Sequence, residues 1–169
     1  NSGIFYAGVD TGGTANEWLG FIDEVKVIRD QTARTAAQVL ADYNSRSNPE
    51  GVSQQQGNNI TNMPGALSNG LVGYWKMDET AANTCTGGVN DSCDSSGNGV
   101  NGAWNGNTAN TTGKFGNGTS YDGTGDYIDL GTAITSPTAG TLSAWVYLNS
   151  NSVADFVRPV IVKGLWGGN

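Results

Sequence analysis

The sequence predicts an all-β protein, an antiparallel β-sandwich carrying one short helix. Composition points there first. Gly is abundant at 26 residues, charged residues make up only 14%, and Asn, Thr and Ser fill much of the remainder. That is the makeup of short strands joined by many turns, because Gly and Asn supply the positive-φ positions that turns require. Patterning points the same way, since long stretches alternate with period two and only one stretch carries helix signals. Apolar residues at 37% and five Trp argue against a disordered chain, and 169 residues suffice for one sizeable domain or parts of two.

The elements follow in order. Ile4-Phe5-Tyr6-Ala7-Gly8-Val9 reads as a short strand, with a turn at Asp10-Thr11-Gly12-Gly13-Thr14. Trp18 to Ile28 is a longer one, with Phe21, Asp23, Val25 and Val27 on one face and Ile22, Glu24, Lys26 and Ile28 on the other. Thr35 and Gln38 then fit a capping box, and Val39, Leu40 and Tyr43 form the apolar stripe of a helix ending near Asn44. Three turns or fewer are not stable alone, so this helix is expected to dock on the sandwich. From Ser45 to about Asn69 almost nothing can be buried, and the stretch reads as a linker. Strands resume with Leu71 to Met77, which turns at Asp78-Glu79-Thr80 and crosses a polar loop to Asp94-Ser95-Ser96-Gly97-Asn98-Gly99. Tyr121 to Gly131, Thr141 to Leu148 and Pro159 to Gly164 complete the β-rich runs. In Thr141–Leu148, Leu142, Ala144, Val146 and Leu148 share one face, opposite Ser143, Trp145 and Tyr147.

Charge and missing residue types narrow the chemistry. A net charge of −7 with eight basic residues argues against nucleic acid, whose phosphates need clustered Lys and Arg. There is no histidine, so the commonest general base and the most frequent zinc ligand are both lacking. Cys85 and Cys93 lie eight apart in one loop, which is no zinc-ribbon spacing. They read as a local disulfide of an oxidising compartment, with two free thiols as the alternative. No segment is long and apolar enough for membrane insertion. The chain opens on Asn1, which suggests a processed leader or a piece of something longer.

Four motifs resemble the bacterial laminin-G-like members of the concanavalin A-like lectin/glucanase superfamily. Leu71-Val72-Gly73-Tyr74-Trp75-Lys76-Met77-Asp78-Glu79 is similar to that family's first strand, Asp94 to Gly99 to its following loop, and Tyr121 to Gly131 to its next strand pair. Thr141 to Leu148 is similar to its Ser-Ala-Trp-Val strand, and the likeness covers about 71–164. Trp18 to Val27 resembles the last strand of the same fold, and Thr35–Asn44 the segment after it. The resemblance implies a jelly-roll sandwich and a window on a tandem array: residues 1–46 close one copy, 47–70 link, and 71–169 open the next. The alternative is that the two pieces complement each other, within a chain or between chains.

The same resemblance implies a structural Ca²⁺ held between first and last strands. Transferred by motif, its ligands are Asp23, Asp78 and Glu79, with Asp94 as a further candidate. Acidic turns suit Ca²⁺, which takes six to eight hard oxygens in flexible geometry, although carboxylates also cap turns in the absence of any metal. Paired catalytic carboxylates as in glycosidases are not expected, because Asp23 and Glu24 are consecutive in a strand and should face opposite ways. Trp104, in a Gly/Asn loop, is the candidate sugar-stacking residue; Trp75 and Trp145 read as packing. Four N-x-S/T sequons stand at Asn59, Asn90, Asn110 and Asn117.

These observations lead to the expectation of a non-enzymatic extracellular or cell-surface module for adhesion or carbohydrate binding. Its partners would be a glycan or neighbouring protein domains. A structural role in a self-assembling filament or repeat array is the other reading.

Overall fold

The computed structural model describes residues 4–9, 18–29, 34–47, 70–85, 91–134, 139–149 and 159–164. Among them the elements run β1 (Ile4–Ala7), β2 (Leu19–Ile28), α1 (Ala36–Ser47), β3 (Leu71–Trp75), β4 (Ala103–Asn105), β5 (Ala109–Thr112), β6 (Asn117–Asp122), β7 (Tyr127–Asp129), β8 (Thr141–Leu148) and β9 (Ile161–Gly164). The fold is therefore all-β, with one short helix and only antiparallel ladders among the described residues. One sheet has the order β4-β7-β1-β9. The other is built about β2. Strand β8 runs along one edge of it, from Gly20 to Ile28, while the opposite edge is shared end to end by β6, against Leu19–Ile22, and β3, against Val25–Ile28. Strand β5 pairs outside β6.

Side chains from both sheets meet in one core. Phe5, Ala7 and Ile128 come from the first sheet, and Ile22, Val25, Val27, Trp75 and Tyr121 from the second. Trp18, Met77, Leu130 and Ile134 close the cluster from the connecting segments. Segments 1–46 and 71–169 thus contribute strands to the same two sheets: β1 lies between β7 and β9, and β2 between β8 and the β3/β6 pair. Residues 48–69 of the expected linker lie outside the described residues.

Two local expectations are corrected. The strict alternation read for Trp18–Ile28 breaks at Glu24, whose φ of 55° is left-handed, and the β2–β8 register shifts between Asp23 and Lys26. A bulge with one residue in that region re-phases the strand. Ile22, Val25 and Val27 turn into the core, and Asp23 and Glu24 come to border clefts that share Trp145 as a wall. The capping box of α1 forms, with the Gln38 N–H donating to Thr35 Oγ1 at 3.3 Å and the Thr35 N–H to Gln38 Oε1 at 2.8 Å. The apolar stripe is not buried, however. Val39, Leu40 and Tyr43 stay about half exposed, and the Tyr43 ring lies 5.1 Å from that of Trp145 on the sheet.

Candidate functional site

The two strands that share one edge of β2 abut opposite its bulge. Strand β3 runs toward Trp75 and on to Asp78; β6 begins at Asn117; both ends face the Asp23–Glu24 region. The turn between β5 and β6, closed by the Gly113 N–H to the Gly116 carbonyl at 3.1 Å, sits over this junction. Its backbone donates to both carboxylates. Lys114 and Phe115 N–H groups reach Asp23 Oδ2 at 2.7 and 3.0 Å, and the Asn117 N–H reaches Asp78 Oδ1 at 2.9 Å. The glycines are required here, since a Cβ on Gly113 would run into Asp23 Oδ2 and one on Gly116, at φ +67°, into Asp78 Oδ1.

Asp23 is the unusual member. It is only 3% exposed, and its Oδ1 is buried with no hydrogen-bond partner among the described residues. Burial pushes its carboxyl above the usual carboxylate range; the Phe115 and Lys114 N–H groups pull the other way, and the nearby charge of Asp78 adds to the rise. A buried, unsatisfied, ionisable oxygen beside a second carboxylate is what a hard cation relieves. Of the four residues expected to hold Ca²⁺, the fold thus brings Asp23 and Asp78 together, and their donor chemistry fits the ion.

Glu79 and Asp94 are placed elsewhere. Glu79 accepts the Cys93 N–H on Oε1 at 2.9 Å and leaves Oε2 buried without a partner. It lies beside Cys85 and Cys93, which form the expected disulfide with Cα atoms 5.2 Å apart. Bonded to each other, those sulfurs offer no thiolates to a metal. Asp94 is saturated instead: Tyr74 and Ser96 N–H groups donate to Oδ1 at 3.0 and 2.8 Å, and Ser96 Oγ and the Val100 N–H to Oδ2 at 2.8 and 3.0 Å. With Asn98 Nδ2 donating 3.0 Å bonds to the Leu71 and Val72 carbonyls, this loop is a latch on β3.

A cleft of about 400 Å³ opens beside Asp23, walled by Phe21, Thr112, Lys114, Trp145 and Tyr147. Phe21 and Tyr147 stack at 5.6 Å, Phe115 meets Trp145 edge-on at 5.7 Å, and Lys114 Nζ lies 5.2 Å over the Trp145 ring. A second cleft, of about 230 Å³, lies across Trp145 toward Glu24, Lys26 and Tyr43. There the Tyr74 hydroxyl donates to Glu24 Oε2, and Lys26 Nζ lies 4.9 Å over the Tyr74 ring. Trp104, the sequence candidate for stacking, packs against the core and donates from Nε1 to Ser92 Oγ at 2.8 Å. Trp145, not Trp104, lines both of these clefts. The alternation of β8 already put it on one face with Tyr147, but which face bordered an open cleft depended on the partner strands.

Of the sequons, Asn59 and Asn90 lie outside the described residues, as does Trp166. Asn110 and Asn117 use their side-chain amides on the Glu79 and Asp78 carbonyls, at 2.8 and 3.1 Å. The chain matches no protein-family model, no curated protein and no solved structure.

Proposed function

We propose that the chain is a non-enzymatic, extracellular binding module that takes a glycan in the cleft beside Trp145, with Ca²⁺ held by Asp23 and Asp78 as a structural brace. The observation that carries this reading is the aromatic lining of that cleft: Phe21, Trp145 and Tyr147 present ring faces and edges beside polar groups, the combination that holds a pyranose. The laminin-G-like resemblance supports the jelly-roll form of the sandwich and the place of the ion between first and last strands. The Cys85–Cys93 bond supports an oxidising, extracellular setting.

Asp23 and Glu24 border the same face, so their separation across the strand no longer counts against paired-carboxylate chemistry. Their placement does. Glu24 is engaged by the Tyr74 hydroxyl, and the two carboxylates line different clefts, so they do not face each other across one site as a glycosidase pair does. Glycan-array and calorimetric binding of the wild type and of Trp145→Ala tests the proposal. The expected result is selective binding that the variant loses at least tenfold. No glycan binding by the wild type, or equal binding by Trp145→Ala, overturns it.

The second reading, a structural or assembly role, is favoured by β8, where Leu142, Val146 and Leu148 are 51%, 46% and 40% exposed on one apolar face.

A further inference from the structure

Among the described residues, the ladders that join β3, β6 and β8 in one sheet, and β7 and β9 in the other, all run through residues 4–28. β3 and β8 have ladders with β2 alone among the described residues, and β9 with β1 alone. Strand β1 fills a slot between β7 and β9, and β2 a slot between β8 and the β3/β6 edge. Among the described residues the donor strands have no ladder with their own segment, and a backbone bond from the Trp18 N–H to the Gly8 carbonyl at 2.7 Å links their ends. Of the twelve residues in the buried core cluster, six (Phe5, Ala7, Trp18, Ile22, Val25 and Val27) come from this segment. Residues 71–164 are therefore an acceptor with one open slot in each sheet, and 4–28 is a two-strand plug.

We propose that this plug is exchangeable: residues 4–28 of one copy fill the slots in residues 71–164 of a second copy, joining chains head to tail. Among the described residues every ladder of the plug is made with sequence beyond residue 70, so none of these pairings depends on which chain supplies it. The interface is the same in both arrangements, and concentration decides between them. A plug joined to its own acceptor by residues 29–70 meets it at an effective concentration set by that connection, at most about millimolar. Dilute chains therefore close on themselves, and chains crowded near that concentration or refolded together exchange. Plug and slot are different surfaces: two copies that exchange plugs reciprocally close as a dimer, and copies that pass theirs on in one direction build open chains. This inference stands independently of glycan binding.

Cysteine trapping tests it on the full-length chain. Phe21 and Tyr147 are cross-strand partners in the β2–β8 register, as are Phe5 and Lys163 in β1–β9. Phe21→Cys in one copy and Tyr147→Cys in another are refolded together over a range of concentrations and oxidised, and Phe5→Cys with Lys163→Cys serves as a second pair. Each double variant in a single chain shows which pair can bond. For that pair, exchange predicts a covalent heterodimer whose yield rises with protein concentration toward millimolar, together with dimers or larger species by size exclusion. A pair that bonds within one chain but gives no interchain product up to millimolar concentration overturns the proposal. So does a failure of both pairs to bond with only monomer at every concentration.

Discussion

Asp23→Asn is the substitution whose outcome follows most directly from the junction. An Asn can keep its carbonyl oxygen where Asp23 Oδ2 accepts the Lys114 and Phe115 N–H groups, and its amide then replaces the buried oxygen that has no partner. A charged orphan becomes a neutral one. An unsatisfied buried polar group costs about 1–3 kcal/mol, and more when charged, so the relief is on the order of 1 kcal/mol without metal. For a chain of this size that raises Tm by about 2–4 °C in EDTA. With Ca²⁺ at about a hundred times its dissociation constant, the wild type gains about 2.7 kcal/mol, or about 5–11 °C, and the variant gains little. The order of stability should therefore reverse between EDTA and Ca²⁺ in differential scanning fluorimetry. The pH dependence provides a second sign. The folded Asp23 carboxyl is raised above its unfolded value, so its contribution is full below the unfolded pKa, near 4, and is lost as pH rises through the folded value. In EDTA the wild type should lose stability relative to the variant over that interval. A variant less stable than wild type in EDTA, with no Ca²⁺ response in the wild type, would refute both the strain at Oδ1 and its relief by a cation.

Three further outcomes can be checked by thermal or urea unfolding. Asp94→Ala removes the acceptor of four hydrogen bonds in the latch on β3; it should cost about 2–4 kcal/mol, equally with and without Ca²⁺. Gly116→Ala places a methyl against Asp78 Oδ1 at a φ of +67°, and should cost about 1–3 kcal/mol and lower any Ca²⁺ affinity. Reduction of Cys85–Cys93, which closes a loop of sequence separation 8, should cost about 2.5 kcal/mol at 25 °C.

Much of the frame was legible in the chain itself. The helix start needed only Thr35 and Gln38, because capping is a contact over three residues. The long strands β2, β3 and β8 follow from their own apolar residues, and the disulfide from two cysteines in one short loop. Strands β4 and β5, Ala103–Asn105 and Ala109–Thr112, were not legible. Ala109-Asn110-Thr111-Thr112 has no apolar alternation, and its partner β6 rather than its side chains makes it a strand. The candidate site was half legible. Acidic turns at Asp23 and Asp78 could be marked from composition and resemblance, with Asp94 ranked behind them, but the reason for the difference was not in the sequence. What separates them is hydrogen bonding: all four bonds to Asp94 come from its own loop and β3, whereas one oxygen of Asp23 is left without any.

What the sequence determined by itself is the set of local choices: composition, period and caps fix an all-β chain with one helix, because those preferences act between near neighbours. Tertiary structure decided the rest. The left-handed turn at Glu24 re-phased β2 and placed Asp23 and Glu24 on one face, an outcome set by three strands competing for its two edges. Trp145 rather than Trp104 borders the open cleft because Ser92 and the core claim Trp104 first. The two slots filled by residues 4–28 likewise exist only between strands far apart in the chain, where no local pattern can record them.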